Sequence, residues 1–73
     1  MAVRNVPVTS DSGHVEAVSY DDDTQDLVVV FRGGRSYVYH GVPSNEVEAL
    51  SRADSAGKYI NNFIKPLYEV ERV

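Results

Sequence analysis

Seventy-three residues with no cysteine, 42% hydrophobic side chains and a net charge of −4 describe one small domain held together by apolar burial. Neither a disulfide nor a thiolate metal site is available to it, and a core of this size supplies roughly 3 to 5 kcal/mol of net stability. The longest apolar run, Leu27 to Phe31, is too short for a membrane span or a signal-peptide core, so a cytoplasmic location is expected.

The charge is unevenly placed. Residues 1–30 hold one base, Arg4, against six acids, namely Asp11, Glu16, Asp21, Asp22, Asp23 and Asp26. Residues 31–73 hold six bases and five acids. The acidic balance opposes non-specific binding to a phosphate backbone, while a basic patch can survive in the second half.

Met1 to Gly13 is polar and small apart from Arg4 to Val8, and Pro7 restricts that stretch to an arm or an edge strand. Ser10 to Gly13 is a turn-prone cluster. His14 to Tyr20 reads as a strand with Val18 and Tyr20 on one face and Val15 and Ala17 on the other. Asp21 to Gln25 is an acidic turn whose Asp and Thr side chains bond their own backbone. Asp26 to Arg32 is continuously apolar and β-branched enough for a central strand. Gly33-Gly34 supplies the positive φ of a two-residue hairpin between Arg32 and Arg35, and Ser36 to His40 pairs back as the next strand.

Gly41-Val42-Pro43 ends the strands. Asn45 with Glu48 fits a capping box, Ser44 being the other candidate cap, for a helix to about Ala53 with Val47 and Leu50 inward. Asp54 or Ser55 caps a second helix, in which Tyr59, Ile60, Phe63 and Ile64 recur at helical spacing until Pro66 ends it. Leu67 to Val73 alternates apolar and charged residues and fits either a fourth strand or a frayed tail. The expected fold is α+β: an antiparallel three-stranded sheet, four-stranded if the tail joins, followed by two short helices packed on it. Residues 1–12 form a flexible arm or edge strand, 13–70 the single domain and 71–73 a tail.

Catalytic and metal chemistry finds little material. His14 and His40 have no carboxylate or cysteine at ligand spacing, so each reads as a half-exposed strand residue. Asp21-Asp22-Asp23 lacks the loop pattern of a calcium site and reads as a solvated turn. Ser55-Ala56-Gly57-Lys58 at a helix start has neither the first glycine nor the hydroxyl of a phosphate loop, so a plain cap is expected. No catalytic residue, metal or cofactor is therefore expected.

Tyr37 and Tyr39 are two apart, which puts their rings on one strand face about 7 Å from each other. Three readings stand: a stacking platform for unpaired bases with Arg32, Arg35 and Lys58, a protein-binding surface rich in tyrosine and arginine, or core residues under a helix with hydroxyls at the rim.

Several segments together resemble the KTSC domain family: Val15-Glu-Ala-Val-Ser-Tyr-Asp21, Leu27 to Phe31, Gly34, Tyr37-Val-Tyr39, Gly41-Val-Pro43, Leu50, Ala53 to Tyr59, and Ile64-Lys65. The resemblance covers about residues 10 to 70. It implies a small module, found alone in bacteria and phages and at the C-terminus of some lysyl-tRNA synthetases, with RNA binding as the suggested role. The chain departs from the family at Ile60, where members often carry an aromatic, and at Asn62 and Phe63, where they often carry basic or histidine residues.

Length and sequence also resemble small phage-encoded regulators that bind host bacterial RNA polymerase. That resemblance implies contact with the N-terminus of the polymerase β′ subunit, inhibition of host transcription initiation, and antitermination, all in the host cytoplasm. The partner-binding residues expected on this reading are Arg4, Arg32, Arg35, Tyr37, Tyr39 and His40. A non-enzymatic monomer without membrane contact is expected. The alternative is a single-stranded RNA-binding module using the Tyr37/Tyr39 face.

Overall fold

A computed structural model describes residues 3–8 and 15–73 of the chain. The turn expected at Ser10 to Gly13, and His14, lie outside the described residues. The sheet has five antiparallel strands in the order of the sequence: β1 (Val3–Asn5), β2 (Val15–Asp21), β3 (Asp26–Phe31), β4 (Arg35–His40) and β5 (Glu69–Arg72). This corrects the expected three or four strands. β1 is complete before Pro7, so the proline removes no ladder donor from it, and the alternating tail joins the far edge as β5.

β3 is the central strand, with Leu27 and Val29 fully buried. Opposite them stand Tyr20 and Val18 on β2, and Tyr39 and Tyr37 on β4, so these residues share one sheet face. The expected alternation on β2 fails at one place. Val15 pairs with Phe31 while Ala17 pairs with Val30, leaving Glu16 as the extra residue of a β-bulge. The bulge turns Val15 onto the core face beside Val18, where it is buried, and leaves Ala17 exposed.

The two hairpin turns rest on different chemistry. At the β2–β3 turn the Asp21 carboxylate accepts hydrogen bonds from the Asp23 and Thr24 amides, at 2.9 and 3.4 Å. Gln25 closes this turn at φ +61°. The β3–β4 loop holds three residues rather than two. Phe31 and Arg35 are the closing pair, and Gly33 and Gly34 take φ of +93° and +83°.

Helix α1 (Ser44–Arg52) starts from Pro43 with no side-chain cap, so the expected capping box does not form. Asn45 lies inside the first turn, where its side chain is not at the cap position. Helix α2 (Ala56–Tyr59) is capped by Ser55, whose hydroxyl accepts from the Lys58 amide at 3.4 Å. It runs on into a π-helical turn, Ile60–Ile64, closed by a 2.7 Å bond from the Lys65 amide to the Ile60 carbonyl.

Both helices cover the inner sheet face. Val47 and Leu50 of α1 join Ala56, Ile60 and Ile64 in a single core with Tyr20, Leu27, Val29 and Tyr39. The Tyr20 hydroxyl is buried but satisfied, donating to the Val42 carbonyl at 2.5 Å. Among the described residues no helix is long and apolar enough to cross a membrane.

Candidate interaction groove

The register decides the question of the two tyrosines. Tyr39, opposite Leu27, is buried in the core at 4% exposure, and burial pushes its phenol pKa up. Tyr37, one pleat further toward the hairpin tip, is half-buried and packs edge to face on Phe31. The two rings therefore do not form an open platform of paired aromatics. Only Tyr37 stands at the surface.

The surface it meets is a groove of about 760 Å³ between the tip of the β3–β4 hairpin, β5 and the α2/π segment. Arg32 and Arg35 border it from the hairpin, and Lys58 and Lys65 from the helical side. Phe31, Tyr37, Ile60 and Val70 supply its apolar lining. Four of the seven bases of the chain thus line one groove, with no aspartate or glutamate among the described lining residues. Arg72 pairs with Tyr37 across β4 and β5, so it too is carried on this face.

A carboxylate on another side fixes the helical wall of the groove. Glu46 of α1 accepts hydrogen bonds from the hydroxyls of Tyr59, at 2.6 Å, and Tyr68, at 3.2 Å. The hydrogen bond to Glu46, then partial burial, pushes the Tyr59 pKa up to about 12. This knot ties α1, the end of α2 and the approach to β5 together, so Lys58, Lys65 and Val70 keep a set spacing around the groove.

The remaining expected contact residues lie elsewhere. Arg4 sits on the opposite edge strand, with its Nε 3.0 Å from an Asp22 carboxylate oxygen and its guanidinium 5.5 Å from the Tyr20 ring centroid. His40 is on the outer sheet face, where its Nδ1 lies 2.8 Å from Asp26 and its Nε2 3.1 Å from Glu71. Those two carboxylates raise its pKa. Of the expected set, Arg32, Arg35 and Tyr37 come together, Tyr39 reaches the groove from below, and Arg4 and His40 do not take part.

Lys65, Asn61 and Val70 are groove residues that the sequence reading passed over. Lys58, Asn61 and Lys65 follow a spacing of i, i+3 and i+7, one stripe of a helix, and that signal was available. Ser55-Ala56-Gly57-Lys58 is the plain cap expected, its hydroxyl occupied by the Lys58 amide. Among the described residues no three histidine, aspartate or glutamate side chains are arranged to hold a metal ion; Asp26 and Glu71 bond opposite nitrogens of the His40 ring.

A family model described as the KTSC domain matches residues 11–68. A protein of Tsukamurella paurometabola is 36% identical over 58 residues, which cover 80% of this chain and 87% of that one. A lysine–tRNA ligase of Nostoc punctiforme is 35% identical over 76 residues; the match covers 99% of this chain but 14% of the ligase. The crystal structure of a KTSC domain protein from Yersinia pestis superposes with a TM-score of 0.85 at 28% identity, covering 99% of both chains.

Proposed function

The chain belongs to the KTSC domain family, and from that premise we propose that it is a non-enzymatic regulator of transcription that binds host bacterial RNA polymerase. On this reading it is a phage-encoded protein that contacts the N-terminus of the β′ subunit, inhibits host transcription initiation and acts in antitermination. The observation that supports it is the gathering of Arg32, Arg35, Lys58 and Lys65 around one half-apolar groove in a chain of net charge −4. Cations are costly to concentrate in so small a domain unless a partner neutralises them, and arginine beside tyrosine is the composition of a protein-binding hot spot. The resemblance to phage-encoded polymerase regulators supplies the identity of the partner. Retention of purified host polymerase on the immobilised chain at physiological salt is the test. Absence of retention sinks the proposal.

A second reading is single-stranded RNA on the same groove. It is favoured by the matching segment in lysine–tRNA ligases, whose name states that they act on tRNA. The burial of Tyr39 weighs against it, because it leaves the half-buried Tyr37 as the one ring of the expected pair at the surface for a base to stack on. A salt-dependent gel shift with single-stranded RNA, lost in Tyr37→Ala, is its required result.

A further inference from the structure

We propose that the groove takes a short, extended protein segment in which carboxylates flank an apolar side chain. The inference rests on the polymerase reading for the identity of the partner and adds what part of a partner is recognised. A volume of about 760 Å³ lies within the range of sites that enclose one compact ligand, roughly 300 to 1,000 Å³. The groove has two chemistries in a fixed arrangement. Phe31, Ile60 and Val70 offer an apolar lining, and Val70 is 46% exposed on its inner wall. The cations stand around that lining, Arg32 and Arg35 on one side and Lys58 and Lys65 on the other. An apolar side chain seated between them places neighbouring carboxylates within reach of both banks, where arginine forks match carboxylate geometry.

Length separates a short acidic segment from a nucleic-acid strand. The acidic turn Asp21–Gln25 lies at the other end of β3 from the groove, about 17 Å away by strand rise. The outer sheet face carries Asp26, Glu69 and Glu71 around His40. A long polyanion has acidic surface at the far end of β3 and on the outer face to avoid, whereas a segment confined to the groove meets no carboxylate among its described lining residues.

The test is an NMR titration of the labelled full chain with a hexapeptide of alternating glutamate and leucine. Parallel titrations use the lysine–leucine counterpart, a ten-nucleotide single-stranded RNA and inorganic phosphate. The inference requires saturable shifts on Arg35, Tyr37, Lys58 and Val70 with the glutamate peptide. Lys58→Glu/Lys65→Glu is expected to weaken binding about tenfold or more with an unchanged folded spectrum. Lys58→Gln/Lys65→Gln is expected to give an intermediate loss. No saturation, shifts away from the groove, equal binding of the lysine peptide, or tighter binding of RNA or phosphate overturns it. Competition on immobilised polymerase separates the two levels. Polymerase that is retained but not displaced by the glutamate peptide overturns this inference and leaves the polymerase reading standing. Loss of all retention with saturable peptide binding does the reverse.

Discussion

The ring of Phe31 meets the edge of Tyr37 with centroids 5.5 Å apart and planes inclined at 75°. This pair marks the border between core and groove, because the next inward residue of β4, Tyr39, is already buried. The two tyrosines of one short strand consequently have different roles, and substitution separates them. Tyr39→Ala removes a buried ring and is expected to cost about 3 to 5 kcal/mol, close to the whole stability of a domain this small. Tyr37→Ala is expected to leave the protein folded and to weaken partner binding. Thermal denaturation of both variants checks this; equal losses would contradict the assignment.

Gln25 is the one described non-glycine residue with a positive φ, at +61°. Its side chain is exposed, and it ties into the fold through its backbone, its amide donating to the Asp21 carbonyl at 2.8 Å and its carbonyl accepting from the Val42 amide at 3.0 Å. Left-handed backbone costs an ordinary residue about 1 to 2 kcal/mol, partly offset by the extra freedom glycine has when unfolded. Gln25→Gly is therefore expected to raise the melting temperature by a few degrees. A lowered melting temperature would show that the side chain matters in a way the geometry does not reveal.

His40 and Tyr59 give the fold a pH dependence at opposite ends of the range, and both shifts are upward. His40 rises above its ordinary 6.5 because Asp26 and Glu71 favour the imidazolium. Its contribution is fully present below pH 6.5 and is lost as pH rises through the higher folded value. Pairing of β5 on β4 should loosen between those two values, read as amide exchange in β5 corrected for intrinsic rate, and His40→Ala should abolish the trend. A pH-independent exchange in the parent chain would exclude the bridge as a fastening of β5.

Tyr59 follows the same sign at alkaline pH. Its phenol, hydrogen-bonded to Glu46, rises from 10.0 to about 12, so the Glu46 knot stabilises below pH 10 and fails as pH approaches 12. Ultraviolet titration is expected to show this late phenol, and Glu46→Gln to bring it back toward 10.0. A parent spectrum in which every tyrosine ionises near its ordinary value would contradict the knot.

Most of the fold was legible where apolar period and turn chemistry agreed. Leu27 to Phe31 with Gly33-Gly34 gave β3, its hairpin and β4, and of the two candidate caps of α2, Asp54 and Ser55, the structure uses Ser55. The bulge at Glu16 was not legible, since one extra residue reverses the face of Val15 without any mark in composition. Nor was the loss of the capping box: α1 begins at Ser44 directly after Pro43, which puts Asn45 inside the first turn instead of at the cap. The groove was half legible. Arg32, Arg35 and Tyr37 are close in sequence and line one groove, whereas Lys65 and Val70 arrive only through the helical return and the β4–β5 pairing. Arg4 and His40 looked free because their carboxylate partners are 18, 14 and 31 residues distant in sequence.

The affinity of host RNA polymerase for the immobilised chain, compared with Arg35→Glu/Lys58→Glu at physiological salt, tests the central claim most directly. Both positions are exposed, so the variant is expected to keep its melting temperature. The account predicts retention by the parent chain and a loss of about tenfold or more in the variant. Undiminished retention by the folded variant, or none by the parent chain, would contradict it.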